Sequence, residues 1–410
     1  MEWSWRARVA FVLVLLSISV AQGSGAVTEP EAIRIFLEQS PQARRVAVIE
    51  QTVDAELRVE TRVANPSIAY QVEDAAGVRD EFLTFQQELP ITGRRGLLND
   101  RAELAASAAA IGAENDLRSD VYALKQAFHD VLYRQRALET LRDGGDLLAR
   151  TVEILQTRET EGEGSGYDVL RAEQELADLR IAIVEAEAAL SAARSRFGSF
   201  FDAALNMEAA SLQGDLQPAG SVLDAQQATD IAVAQRLDLQ SLSAEREGLD
   251  LEYRAARRRR FPEPLLTAGW KRTEALGLSD TGYIAAVSVP LPFFGRGRFE
   301  SARAAAAGER VELETEILTR RIRSEVQTAV AREHAAREAA DRYGQDIAPR
   351  AGELNRIARL QYDEGESGIL ELLDAHRTSL TMRLRALATR YTAKVAEIDR
   401  NRAIGNEVKP

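Results

Sequence analysis

The sequence predicts a mainly α-helical, elongated fold with a small β part, laid out twice along the chain. Three observations carry this. Leu89-Pro90-Ile91-Thr92-Gly93-Arg94 and Leu291-Pro292-Phe293-Phe294-Gly295-Arg296 stand about 202 residues apart, and Ser165-Gly166 keeps the same spacing to Ser367-Gly368. A fixed internal period of this kind dictates architecture. Long stretches are dominated by Ala, Glu, Arg and Leu, with 28% charged and only 6% aromatic residues, the composition of long helices and coiled coils. In each copy, two short runs of alternating apolar and polar residues beside a proline interrupt the helical pattern, the mark of a β-hairpin.

At 410 residues the chain exceeds one ordinary compact core. A net charge of −12 argues against a nucleic-acid partner. Cysteine is absent, which removes disulfides, a thiolate nucleophile, cysteine metal sites and a cysteine-borne lipid anchor. Arg6 and Arg8, an apolar run over residues 11–20 and small residues over 21–26 read as a secretory signal peptide, residues 1–26, cleaved near Ala21 or Ala26. Later segments fall short of the roughly 20 continuous apolar residues of a transmembrane helix. An exported chain of this kind is periplasmic, secreted or a β-barrel.

The first repeat covers residues 27–203. Ile33, Phe36, Leu37, Val46, Ile49, Val53 and Leu57 form a helical stripe, so one helix of about 35 residues is expected over 29–63. Asn65-Pro66 ends it, because proline disfavours helix at the residue before it. A hairpin over 65–91 follows. Ile68, Tyr70 and Val72 alternate with Ala69, Gln71 and Glu73; Leu83, Phe85 and Leu89 oppose Thr84, Gln86 and Glu88, with Gly77 in the turn. Strands of about 8–10 residues suit a tilted membrane-spanning β-strand. Helical periodicity then runs over 96–159, a reach of roughly 100 Å, with an irregularity expected at Gly144-Gly145. A tip turn at 161–168 leads into a returning helix over 167–201.

An inter-repeat linker is expected over 204–222, where the pattern lapses and Gly214, Pro218 and Gly220 occur. The second repeat, 223–404, restates the first. A helix is expected over 223–260, then a hairpin over 261–292 with strands at 265–270 and 283–289 around Gly277. A long helix over 299–360, a tip turn at 362–369 and a last helix ending near Ala403 complete it. Residues 405–410 read as a disordered tail.

Two hairpins give four strands, and a four-stranded sheet with open edges does not sit in lipid alone. Several chains would have to close it; three would supply about twelve strands. The duplicated layout, with NPSIAYQVED, FQQELPITGRRG, VSVPLPFFGRGR and YDEGESGILELLDAHR in this order, resembles the TolC family of outer-membrane efflux channels over nearly the whole mature chain. Within it the chain is most similar to the outer-membrane components of heavy-metal efflux systems of the cobalt–zinc–cadmium type.

The resemblance implies a homotrimer in outer-membrane lipid. A 12-stranded β-barrel, four strands per chain, would cap a trimeric α-barrel of long coiled-coil helices that crosses the periplasm. It implies a passive conduit docked to a periplasmic adaptor and an inner-membrane RND-type transporter, without cofactor or catalysis. The family narrows its periplasmic aperture with acidic side chains just after the second tip turn, where Glu371 and Asp374 stand here. Three residues apart, they share one helix face, and three copies would form two carboxylate rings attractive to cations. Tyr362 and Asp168 match positions that latch the closed tip, while Ser367 stands where the family's best-known member has an arginine. Gly164, Ser165, Gly166, Gly365, Ser367 and Gly368 make the tip turns, which an adaptor's coiled coil could reach.

Arg257 to Arg260 end the helix before the second hairpin, where they suit the helix C-terminus or anionic lipid at the barrel rim. Tyr70, Trp270 and Tyr283 are candidates for an aromatic girdle. The three histidines, His129, His334 and His376, lack partners at ligand spacing, so no metal site is expected and cargo choice would lie with the transporter. Drug efflux or type I protein secretion are alternative cargoes. A soluble periplasmic coiled-coil scaffold would explain the helices but not the paired hairpins.

Overall fold

The computed structural model describes residues 26–221 and 223–406, so the signal segment expected before Ala26 and the last four residues lie outside it. Helices α1 (Glu29–Gln39) and α2 (Pro41–Thr61) precede strands β1 (Ser67–Ala75) and β2 (Val78–Glu88). The long α3 (Arg94–Thr160) and its return α4 (Gly166–Gly198) complete the first copy. After two short 3-10 turns the pattern recurs as α5 (Ala225–Gln235), α6 (Leu237–Arg258), β3 (Leu265–Ala275) and β4 (Leu278–Ser288). It closes with α7 (Arg298–Arg342), α8 (Arg350–Asp363) and α9 (Ile369–Ile404). Among the described residues no helix is long and apolar enough to cross a membrane.

Three helices expected as single rods are divided. The segment over 29–63 breaks at Ser40, whose backbone is extended and whose Oγ accepts from the Ala43 amide at 3.1 Å. Pro41 starts the next helix, where its missing N–H costs nothing. The segment over 223–260 breaks at the matching place, Arg236, again after an 11-residue helix. Here Arg236 holds the corner by bonding Asp238 at 2.6 Å and Glu325 at 2.9 Å. The rod over 299–360 widens into a π-turn at Tyr343–Ile347, where Ala348 donates to the Tyr343 carbonyl at 3.0 Å. Pro349 is the cause: it has no amide proton and its ring crowds the preceding turn.

In contrast, α3 is continuous for 67 residues through Gly144 and Gly145. A Cβ at Gly144 would lie 3.1 Å from Leu380, and one at Gly145 3.2 Å from Ile183. The pair lets neighbouring helices approach and does not break the rod. Along this rod α4 covers the half toward the tip. α6 covers the half toward the sheet, with Gly248 beside Arg101 and Leu104. Around the middle, Phe36, Phe128, Val131, Phe197 and Leu216 form the largest core. The linker takes part in it, burying Met207, Leu212 and Leu216. Gly405 and Asn406, expected as tail, are ordered: Gly405 caps α9 with φ 79°, and Tyr122 donates to the Asn406 carbonyl at 2.9 Å.

Both hairpins turn through two residues with positive φ, Ala76-Gly77 and Leu276-Gly277. The tight turns make the strands longer than the alternation suggested, with β2, β3 and β4 at 11 residues each. The sheet runs β1-β2-β3-β4, all antiparallel, with β2 joining the two copies through β3. Directly opposed residues share a face. The register therefore sets Tyr70, Leu83, Trp270 and Tyr283 in one row across all four strands. Ile68, Phe85, Ala268 and Ala285 form the next row of this apolar face. The opposite face carries Thr84, Gln71, Thr267 and Lys271, with Lys271 bonded to Asp80 at 2.7 Å. One apolar and one polar face is the pattern of a membrane barrel wall.

Candidate functional site

The end of the molecule farthest from the sheet consists of two helical turns, α3 into α4 and α8 into α9. Both reverse through a glycine in the left-handed region, Gly162 at φ 80° and Gly365 at φ 73°. In the first turn Ser165 caps α4, its hydroxyl accepting from the Tyr167 amide at 3.2 Å. Gly164 is required by packing, since a Cβ there would lie 2.8 Å from the Glu159 backbone nitrogen.

The two turns correspond one residue away from the register read in the sequence. Glu163 donates to the Arg158 carbonyl at 2.8 Å, and Glu366 donates to Gln361 in the same way. The cap Ser165 therefore corresponds to the cap Gly368, and Gly164 corresponds to Ser367. The serine match was a coincidence of composition within two short Gly/Ser segments. The corrected register makes Asp168 and Glu371 equivalents, each the third residue of its helix. An acid there stabilises the helix N-terminus. Glu371 folds back so that a Cβ at Gly368 would sit 3.0 Å from its carboxylate.

Glu371 and Asp374 both stand exposed on one face of α9, while Ile369, Leu372, Leu373 and Ala375 pack inward against Leu155, Val169 and Leu176. Arg377 lies one turn beyond Asp374 and bridges across to Glu175 of α4, its Nε 3.0 Å from the carboxylate. The Glu175 hydrogen bond, joined by the Glu175 and Asp374 charges, raises the affinity of the guanidinium for its proton.

Tyr362 lies within reach of the Asp168 charge. Burial raises the Tyr362 phenol, and the nearby Asp168 charge raises it further. A third residue, missed in the sequence, completes this group. Arg158 of α3 places its guanidinium 5.7 Å from the centre of the Tyr362 ring and 3.5 Å from Asp363. Ser367 keeps a buried hydroxyl without a partner. No sequence signal marks Arg158, one of many arginines on helix faces. His376, half-buried on α9 two residues beyond Asp374, is held below the ordinary histidine range by burial and by Arg359. Among the described residues no group of three His, Cys, Asp or Glu side chains is placed to hold a metal ion.

Comparison with known proteins agrees with this layout. Residues 228–406 match the model of the outer membrane efflux protein family. The cobalt-zinc-cadmium resistance protein CzcC of Cupriavidus metallidurans is 26% identical over 336 residues, covering 79% of this chain and 77% of that protein. A membrane protein from Pseudomonas aeruginosa superposes with a TM-score of 0.76 at 19% identity, covering 92% of each chain. The transmembrane channel protein CusC superposes at 0.71 with 17% identity, over 95% of this chain and 96% of that one. Over residues 228–406 the chain is thus similar to the outer membrane efflux protein family, and over nearly its whole length it shares the fold of solved outer-membrane channel proteins.

Proposed function

We propose that three copies of this chain form a passive conduit from the periplasm to the exterior, serving a periplasmic adaptor and an inner-membrane RND-type transporter that exports metal cations. One observation carries this reading. A four-stranded sheet with an apolar face and two unpaired edges continues into paired helices long enough to reach far from the membrane. Three such sheets close a barrel of about twelve strands and leave no edge in lipid. Likeness to a cobalt-zinc-cadmium resistance protein supports the cargo class.

In this conduit Glu371 and Asp374 ring the periplasmic aperture and attract cations. Arg158, Tyr362, Asp168 and Asp363 tie the two tip turns together in the closed state. The turns around Gly164, Ser165, Gly166, Gly365, Ser367 and Gly368 present the surface an adaptor's helical hairpin meets. The barrel supplies the path and the transporter supplies the energy, so cargo selection does not require a resident metal site. The decisive experiment pairs fractionation with metal tolerance. A trimer extracted from the outer membrane, whose loss lowers tolerance to cobalt, zinc or cadmium, meets the proposal. Recovery as a soluble monomer overturns the conduit, and unchanged metal tolerance overturns the cargo.

A further inference from the structure

The strand-to-helix junctions of the two copies lie at one end of the sheet, and they hold a concentration of charge that a conduit does not need. α6 ends in Arg257 and Arg258, and Arg259 and Arg260 follow it. Arg94 and Arg95 open α3, while Arg296 and Arg298 stand at the start of α7. Apolar side chains stand in the open among them: Phe261 is 53% exposed, Phe293 66%, Phe294 100% and Phe299 81%. A groove of about 260 Å³ at the junction is lined by Arg94, Arg258 and Arg259 together with Phe261, Pro290 and Leu291. The acids that also line it are engaged. Glu263 accepts from Thr92 Oγ1 at 2.6 Å, and Glu88 lies 3.7 Å from Arg95.

Internal pairing uses little of this charge. Arg259 pairs with Glu300 at 2.6 Å. Among the described residues, Arg94, Arg257, Arg258, Arg260, Arg296 and Arg298 have no carboxylate within 4.0 Å. Helix stability accounts for Arg257 and Arg258, which suit a C-terminus. It does not account for Arg94, Arg95 or Arg298, which stand at N-termini where a cation is unfavourable. Arg260 stacks over Phe261 at 4.7 Å, which leaves its N–H edge free.

We propose that this collar binds anionic phospholipid, with Arg260 and Arg296 taking the headgroup phosphate and Phe293 and Phe294 lying among the acyl chains. The inference rests on the outer-membrane reading above. Position and charge select the occupant. The collar continues the apolar face of the sheet, where Leu266 and Val287 are the nearest exposed side chains, so its partner lies level with the membrane surface. The planar guanidinium fork matches phosphate oxygens. Each arginine near an anionic leaflet contributes roughly fivefold in binding.

The test is native mass spectrometry of the intact, membrane-extracted protein titrated with phosphatidylglycerol or phosphatidylcholine. The wild type is expected to prefer phosphatidylglycerol. Arg260→Gln with Arg296→Gln should reduce that preference about 25-fold with the assembly intact. Phe293→Ser with Phe294→Ser should weaken both lipids alike and leave the preference unchanged. Equal binding of both lipids by the wild type, or a preference that survives the arginine substitutions, overturns the proposal. So does full displacement of the lipid by millimolar inorganic phosphate, which would make this a free-anion site. Recovery of the protein outside the membrane fraction would instead sink the channel reading, so the two failures are distinguishable.

Discussion

Replacing Arg158 by Ala should open the tip. The guanidinium makes two contacts between the first and second copies, 5.7 Å from the Tyr362 ring centre and 3.5 Å from Asp363. The side chains of Arg158 and Asp363 are 35% and 48% exposed, so solvent screens the ion pair and most of the value lies in the cation–π contact. Together they contribute about 1 kcal/mol per copy. Three copies opening in concert lose about 3 kcal/mol, which moves a closed-to-open equilibrium roughly a hundredfold. Single-channel recording of the purified protein in planar bilayers reads this as open probability. Tyr362→Phe provides the control: it keeps the ring under the guanidinium and should stay closed. Because Arg158 and Tyr362 act on each other, Arg158→Ala with Tyr362→Ala should open little more than Arg158→Ala alone. An Arg158→Ala channel as closed as the wild type, or one in which the two changes add fully, would refute the role given to this contact.

Glu371→Ala with Asp374→Ala should raise conductance and weaken block by divalent cations; unaltered single-channel traces would remove both residues from the aperture. Glu333 is fully buried, bonded to Arg337 at 2.8 Å and beside Arg400 at 3.0 Å. Glu333→Gln strands that positive charge and should cost about 3–5 kcal/mol, and a melting temperature close to wild type would contradict it. For Glu29, burial disfavours the charged form, but the His129 hydrogen bond at 2.8 Å and the Lys125 charge outweigh it and hold the carboxyl at about 2. A depressed folded value stabilises above the ordinary 4.5 and loses that stability as pH falls toward 2. Glu29→Gln should therefore flatten the melting temperature between pH 4.5 and 2, and an unchanged acid profile would show that the pair carries no such coupling.

Periodicity made the plan of the chain legible, because long amphipathic helices and alternating strands announce themselves in one dimension. Alternation sorts each strand's residues into two faces, and the register sets Tyr70, Trp270 and Tyr283, the girdle candidates, in one row. Interruptions were less legible. Ser40-Pro41 and Pro349 carried readable signals that a continuing apolar stripe obscured. The break at Arg236 carried none, since it is held by Asp238 and by Glu325 from a distant helix. Gly144-Gly145 invited the opposite error, because glycine marks both a break and a close approach, and only the neighbours Leu380 and Ile183 decide between them. At the tip, acids on one helix face were visible in α9. Arg158 was not, because its meaning depends on a ring that arrives from more than two hundred residues later.

The unpaired edges of β1 and β4 have a consequence for how the protein is made and how it fails. A lone copy offers two rows of unsatisfied backbone groups and has no resting place in lipid. Insertion and association are then one event, and its rate should rise steeply with the local number of exported chains. It follows that inheritance of a defect would not be additive. In the proposed ring, a proline placed in β1 would remove a hydrogen bond to the neighbour's β4, so one damaged copy would spoil a whole ring. Expressed in equal amounts with the intact chain, such a variant would leave about one ring in eight sound, and a cell would read it as dominant.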